Sequence, residues 1–356
     1  MKKYLISLSF LSLLAGCSQH YQDLALDAKY DKPRTLNHFS DYVQFLKQKA
    51  AGAGVSDKVL NSHFNITYVP RAVQLDREQA AKRRDPNTPP PPPNPHCVTR
   101  YLNKVLTQAK VNAAVERWWQ VQPQLESASR QYGVQKEYIM ALWGMESSFG
   151  RYQGNFDVLS VLATLAFDGR REALFSQEFV NAFKMLDNGT ISRREMKGSW
   201  AGAMGQTQFM PTSYLKYAAD GDNDGKKDIW QNRSDAFASI ANYLSSVGWD
   251  KTLPWGIEVK LSQPIDMSLS GIEVNKAKRL AEWQAWGIYV AYPNGQELAK
   301  MKALSQTKLW LVRPDKEAGR AFLVSNNFRT ILDWNKSNNF AISIGKFADR
   351  ILQSVD

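Results

Sequence analysis

The stretch QKEYIMALWGMESSFG, Gln135 to Gly150, decides how the rest of the chain is read. It predicts a helix over 135–149, in which Ile139, Leu142 and Trp143 recur at helical spacing and form one apolar stripe. Glu146 follows them on that stripe at i+7, i+4 and i+3, so an acidic side chain faces the packed side. Burial disfavours the charged form of a carboxylate and raises its pKa, the property a general acid working near neutral pH needs. The same pattern fits a structural carboxylate paired with a buried base such as Arg151, and helix geometry alone leaves both readings open.

Outward from this stretch, Cys97 to about Gly248 reads as successive helices punctuated by Gly133, Gly150, Gly154, Gly169, Gly189 and Gly198. Glu146 opens the string Glu146-Ser147-Ser148-Phe149-Gly150. Then come Gly154-Asn155-Phe156, the run Ala163 to Asp168 with Arg170-Arg171, and KGSWAGAMGQTQFMP over Lys197 to Pro211. In this order and spacing the motifs resemble those of the lytic murein transglycosylase B family within the lysozyme-like superfamily, from about Leu36 to the C-terminus. The resemblance implies a mainly α (α+β) fold: a lysozyme-like helical catalytic core with a helical N-terminal region and a small strand-containing subdomain.

The resemblance also implies the chemistry. Glu146 would protonate the glycosidic oxygen between N-acetylmuramic acid and N-acetylglucosamine in peptidoglycan. It would then take the proton of the muramoyl C6 hydroxyl as that oxygen attacks C1, leaving a 1,6-anhydro sugar without consuming water. An oxocarbenium-like transition state ordinarily calls on a second carboxylate, but here the substrate supplies the nucleophile. By the same resemblance, Ser147, Ser199, Met204, Gln208, Tyr101, Tyr243, Trp334, Asn335 and Phe340 would bind the sugar. Many family members carry tyrosine where this chain has Trp334 and Phe340. Two rivals remain: a hydrolytic muramidase using Asp157 or Asp168 as second carboxylate, and a non-catalytic peptidoglycan-binding lipoprotein.

Asp220-Gly-Asp222-Asn-Asp224-Gly225-Lys226-Lys-Asp228-Ile-Trp-Gln231 fits the spacing of an EF-hand loop. Asp220, Asp222 and Asp224 occupy positions 1, 3 and 5, Lys226 offers its carbonyl at 7, and Asp228 stands at 9. Gln231 replaces the bidentate acid at position 12, which weakens the set. The family carries a calcium site here, so a structural Ca²⁺ is expected and no cofactor is required for the chemistry. The four histidines are not paired at ligand spacing.

The chain opens with Met1-Lys2-Lys3 and the apolar run Tyr4 to Ala15, the layout of a secretory signal over 1–16. Leu14-Ala15-Gly16-Cys17 resembles a lipobox, with Cys17 as the lipidated residue and Ser18 as an outer-membrane sorting signal. The expected location is therefore the outer membrane, lipid-anchored on its periplasmic face. A tether over 17–34 leads to an N-terminal helical region over 35–96 that contains the run Pro89 to Pro93, an extended polyproline stretch. The core with its EF-hand-like loop is expected over 97–250 and the strand-containing subdomain over 251–330. That subdomain holds the short apolar segments 255–261, 286–292, 308–312 and 321–324. A C-terminal segment and helix returning to the core complete the chain over 331–356. The net charge of +11, or +9 without Lys2 and Lys3, favours an anionic wall or lipid surface, and export argues against nucleic acid. The expected state is a monomer, and composition names no protein partner.

Overall fold

The structure is a computed structural model that describes residues 36–81 and 96–355. The lipobox around Cys17, the tether and the proline run lie outside the described residues. In chain order the helices are α1 (Phe39–Gly52), α2 (Asp57–Ser62), α3 (Pro70–Ala81), α4 (Cys97–Val105), α5 (Gln108–Tyr132) and α6 (Lys136–Ser147). Next come β1 (Phe156–Asp157), α7 (Val158–Asp168), α8 (Glu172–Asp187), β2 (Lys197–Gly198), α9 (Pro211–Tyr217) and α10 (Arg233–Ser246). The rest is β3 (Gly256–Leu261), β4 (Lys278–Arg279), α11 (Leu280–Ala285), β5 (Ile288–Val290), α12 (Gly295–Leu304), β6 (Lys308–Val312), β7 (Ala321–Val324), α13 (Asn326–Trp334) and α14 (Asn338–Val355).

These elements pack as two compact units. The helical unit comprises 36–81 and 116–246, and the sheet unit comprises 96–115 and 247–355. This division differs from the domain boundaries read in the sequence at two places. Residues 97–115 pack with the sheet unit, and so does α14. Local chemistry explains both. The Asp315 carboxylate accepts the Val98 N–H at 3.1 Å, and Arg350 on α14 donates to the Leu106 carbonyl at 2.7 Å.

In the helical unit, α7 is buried on every side from Val158 to Ala166. The Asp157 side chain starts it by accepting from the Ser160 N–H at 2.8 Å, and Gly169, at φ +87°, ends it. Helices α1, α3 and α8 pack around it, with Tyr42 of α1 donating its hydroxyl to Glu172 at 2.5 Å. Helix α6 is likewise enclosed. Tyr138 to Gly144, Glu146 and Ser147 are all buried, so the expected single stripe is only part of an apolar surface covered almost all round. Trp143 shows why: it meets Phe237 of α10 edge-on at 4.9 Å and Phe149 at 5.4 Å.

The sheet unit is built on five antiparallel strands in the order β4-β6-β7-β3-β5. Register sets Ile257 and Leu311 on either side of Leu323. These residues, with Val259, Ile288 and Leu309, form a core closed by Trp283 of α11 and Leu304 of α12. Neighbouring residues on the strands point the other way, where Trp255 packs on Phe322 at 5.9 Å and Glu258 pairs with Arg320 and with Lys346 of α14. A Cβ on Gly345 would sit 2.2 Å from the Trp255 ring, so α14 approaches this face at a distance that only glycine permits. With both faces covered, β6 and β7 read as unbroken apolar runs and not as alternating ones.

Candidate functional site

Glu146 stands in the last turn of α6 and is 1% exposed. Immediately after the helix the backbone turns left-handed at three successive residues, Ser148 at φ +51°, Phe149 at +63° and Gly150 at +81°. For Ser148 and Phe149 that conformation costs about 1–2 kcal/mol each, so the surroundings must hold it in place. They do so by bonding and by stacking. The Ser147 hydroxyl accepts the Gly150 N–H at 2.9 Å and donates to the Trp143 carbonyl at 3.2 Å. The Phe149 ring lies against Trp143 and under the Arg117 guanidinium, 5.0 Å away. A Cβ on Gly150 would fall 2.7 Å from Gln206 Oε1, so both backbone angle and space call for glycine there.

The Lys197 to Pro211 motif folds against this turn. Strands β1 and β2 pair Phe156 with Gly198. The chain then doubles back, with Ser199 N donating to the Ala203 carbonyl at 2.7 Å and Met204 exchanging backbone bonds with Phe209 at 2.8 and 3.1 Å. The Ser199 hydroxyl accepts from the Ala203 N–H at 3.1 Å. Gln208 sits at φ +52° and donates through Nε2 to the Gly205 and Gln153 carbonyls at 2.9 and 3.2 Å. Gln153 in turn donates to the Gly150 carbonyl at 3.0 Å. Tyr243 packs against Tyr217 and Phe209, at 4.5 and 6.0 Å between ring centroids.

Glu146, Ser147, Ser199, Met204, Gln208 and Tyr243 are thus brought together in the helical unit. Ser147 and Met204 are fully enclosed, so their places are structural supports of the turn and of the loop. Tyr101, Trp334, Asn335 and Phe340 belong to the sheet unit. Tyr101 and Trp334 are half-buried, whereas Asn335 and Phe340 are buried at the junction of α13 and α14.

Gln206 is the residue that the sequence reading did not single out. Its Oε1 accepts the Trp143 indole N–H at 2.8 Å, its Nε2 reaches the Trp230 carbonyl at 3.2 Å, and its own N–H bonds the Ile229 carbonyl at 2.8 Å. It ties the helix that carries Glu146 to the loop that ends at Trp230. Its presence inside the quoted motif was the only available signal, because its partners are remote in sequence.

The two other candidate carboxylates are committed elsewhere. Asp157 caps α7 and pairs with Arg193 at 3.2 Å. Burial pushes its pKa up, but the hydrogen bonds from Arg193 and Ser160 outweigh this and hold it below the ordinary carboxylate value. Asp168 pairs with Arg77. Arg170 and Arg171 of the motif converge on the buried Asp76 of α3, clamping the N-terminal helices to α7 and α8.

In the EF-hand-like loop, carboxylate oxygens of Asp220, Asp222 and Asp224 lie within 4.8 Å of one another. Gly225 takes φ +87° at the sixth position, as the sharp turn of such a loop needs. Asp228 Oδ1 accepts the Trp230 and Gln231 N–H groups at 2.9 Å, so the exposed Gln231 is folded in by its backbone. Behind the loop is the fully buried Asp235, which accepts from Gly221 and Asp228 N–H groups at 2.7 Å. Burial, with the charges of Asp222 and Asp220 added, pushes its pKa up to about 6 against those hydrogen bonds. Three oxygens converging on a turn of this shape suit a hard cation.

Comparison with known proteins agrees with this geometry. Residues 38–349 match the transglycosylase SLT domain. Among curated proteins, the chain is 28% identical to the membrane-bound lytic murein transglycosylase B of Escherichia coli (strain K12), over 98% of each chain. Among solved structures, SltB3 from Pseudomonas aeruginosa in complex with NAG-anhNAM-pentapeptide superposes with a TM-score of 0.76 at 36% identity, over 89% of this chain and 80% of that one. The Escherichia coli lytic transglycosylase Slt35 in complex with calcium superposes with a TM-score of 0.70 at 26% identity, over 88% and 93%.

Proposed function

Because the chain belongs to the transglycosylase SLT domain family and is a lytic transglycosylase of peptidoglycan, we propose that Glu146 is its single catalytic acid and base. Glu146 protonates the glycosidic oxygen of the β-1,4 bond between N-acetylmuramic acid and N-acetylglucosamine. The resulting carboxylate then accepts the proton of the muramoyl C6 hydroxyl as that oxygen bonds C1, closing the 1,6-anhydro ring. The proton count balances within the substrate and no water enters. The observation that carries this reading is the buried carboxylate at a strained helix end braced by Ser147, Gly150 and Gln206. The ion pairs of Asp157 and Asp168 leave the substrate's own hydroxyl as the better nucleophile. Ser199, Gln208 and Tyr243 of the helical unit serve the binding of the glycan strand.

Mass spectrometry of fragments released from purified peptidoglycan by the protein lacking residues 1–17 tests the reaction. The expected fragments end in anhydro-muramic acid, lighter by one water than a reducing sugar. Reducing ends would make the protein a muramidase, and intact sacculi with protein bound would make it a binding module.

We also propose that Asp220, Asp222, Asp224, the Lys226 carbonyl, Asp228 and Gln231 hold a structural Ca²⁺. The ion would neutralise the loop and brace α9 against α10, with no part in the chemistry. At a hundredfold excess over its dissociation constant such an ion adds about 2.7 kcal/mol of stability. The melting temperature should therefore rise when Ca²⁺ replaces chelator, and Asp222→Ala should abolish the rise. An unchanged wild-type melting curve would remove the ion from the account.

No helix among the described residues is long and apolar enough to cross a membrane, while the Escherichia coli relative is named as membrane-bound. The reading that reconciles the two is a lipid anchor at Cys17 that holds a monomer on the periplasmic face of the outer membrane. Cys17→Ser should move the protein from the membrane fraction to the soluble one, and retention in the membrane fraction would argue against the anchor.

A further inference from the structure

The sheet unit contains a cleft of its own, 760 Å³ in volume, within the range of about 300–1,000 Å³ typical of small-ligand sites. The segment from Met267 to Glu273, the end of β6 at Val312 and Arg313, and the exposed side of α13 line it. Its charges are unevenly satisfied. Glu273 is paired with Lys276 at 3.2 Å and Asp333 with Lys336 at 2.6 Å. Arg313 is 8% exposed, yet among the described residues it forms no ion pair and donates a single hydrogen bond, from Nη1 to the Ile265 carbonyl at 2.8 Å. Arg329 has its guanidinium carbon over the Trp310 ring, 4.9 Å from the centroid, and among the described residues its hydrogen bonding is a single long contact of 3.4 Å to Asn326 Oδ1. Trp310 is itself pinned, its indole N–H donating to the Glu273 carbonyl at 2.9 Å.

Most of the Arg313 donors are unused among the described residues and reach solvent at the cleft, where they are open to an anion. Burial works against the charge on Arg313, and Glu317 offsets this only in part. A carboxylate would satisfy it, since the planar fork of donors matches two carboxylate oxygens. The contact with Trp310 restrains Arg329, which lines the same cleft, and lowers the entropy lost when a ligand binds. The other lining groups narrow the choice. Asn338 offers an amide suited to peptide bonds, Met267, Ile272, Val312 and Leu332 offer apolar surface, and Glu273 and Asp333 repel a polyanion.

We propose that this cleft binds a carboxylate of the peptide branches carried by the glycan strand, with Arg313 and Arg329 as its ligands. The proposal rests on the reading of peptidoglycan as substrate and gives the sheet unit a task apart from bond cleavage. It makes the enzyme sensitive to the state of the peptide, so that trimming or amidation of the branch changes how well a strand is held.

The test is isothermal titration of the protein lacking residues 1–17 with a sugar-free stem pentapeptide, L-Ala–γ-D-Glu–L-Lys–D-Ala–D-Ala, and with its fully amidated analogue. The acid peptide should bind and the amidated one should bind roughly tenfold or more weakly, the loss expected for hydrogen bonds to a charged group. Arg329→Gln and Arg313→Gln should each weaken the acid peptide by a similar factor and leave the amidated peptide unchanged. If Arg313→Gln fails to fold, Arg329→Gln and the peptide pair still decide the matter. Equal binding of both peptides, or no binding at millimolar peptide, would overturn the proposal. Because the readout contains no sugar, loss of anhydro products with peptide binding intact would count against the catalytic reading alone, and the reverse result against the cleft alone.

Discussion

Glu146→Gln is expected to lower the rate of anhydro-product release by about 10²–10⁴-fold, the range that general acid–base catalysis contributes. The substitution keeps shape and volume at a buried position, and a neutral amide is less costly to bury than a carboxylate. The melting temperature should therefore hold or rise while activity falls. A catalytic group and a structural ion-pair partner differ on this point, since breaking a structural pair would lower both together. Measuring the two on one preparation settles which role Glu146 has: a variant that retains activity but melts early would transfer the residue to the scaffold. Gln206→Ala offers a contrast. It unties Trp143 and Trp230 without touching substrate, so its effect on rate should come with lost stability.

The second large effect is expected at Asp76, the buried carboxylate of α3. Asp76→Ala leaves Arg170 and Arg171 facing a site from which their anion has gone. The cost should be about 3 kcal/mol, at the low end for breaking a buried ion pair because both guanidiniums keep some contact with solvent. Acid should produce the same loss in the wild type. Burial pushes the Asp76 carboxyl up, but hydrogen bonds and charge from Arg170 and Arg171 outweigh this and hold it below its ordinary value of 3.8. A carboxyl whose pKa is depressed on folding contributes its full stability above the unfolded pKa and loses it as pH falls through the folded one. The gap in unfolding free energy between wild type and Asp76→Asn should be constant near neutrality and should narrow below about pH 4. A gap that persists into acid would mean that the clamp works by packing and not by charge.

The arginine clamp also shows where reading a sequence stops. Arg170 and Arg171 are visible as part of a motif, but Asp76 lies 94 residues before Arg170, and no local rule joins them. Asp157 and Asp168 were open as second carboxylates for the same reason, since their partners Arg193 and Arg77 lie 36 and 91 residues away. Ser147, read as a sugar contact, closes the helix that carries Glu146, because its hydroxyl meets two backbone groups within one turn.

By itself the sequence determined what depends on short-range regularity. Helical spacing placed Glu146 on the packed side of α6, glycines marked the turns that need left-handed backbone, and the Asp/Gly spacing predicted the loop that gathers three carboxylates. The runs 308–312 and 321–324 became β6 and β7 with those bounds, because strands covered on both faces are continuously apolar. Tertiary structure alone decided which distant groups meet: Asp76 with two arginines, Gln206 with two tryptophans, Asp235 behind the acidic loop, α4 with α14, and two arginines at one cleft. It also decided that α11 and α12, short helices with weak periodicity, would cover the sheet. The physical reason is common to all of these. Propensity and periodicity act over a few residues, whereas burial and ion pairing are settled only when the chain has closed on itself.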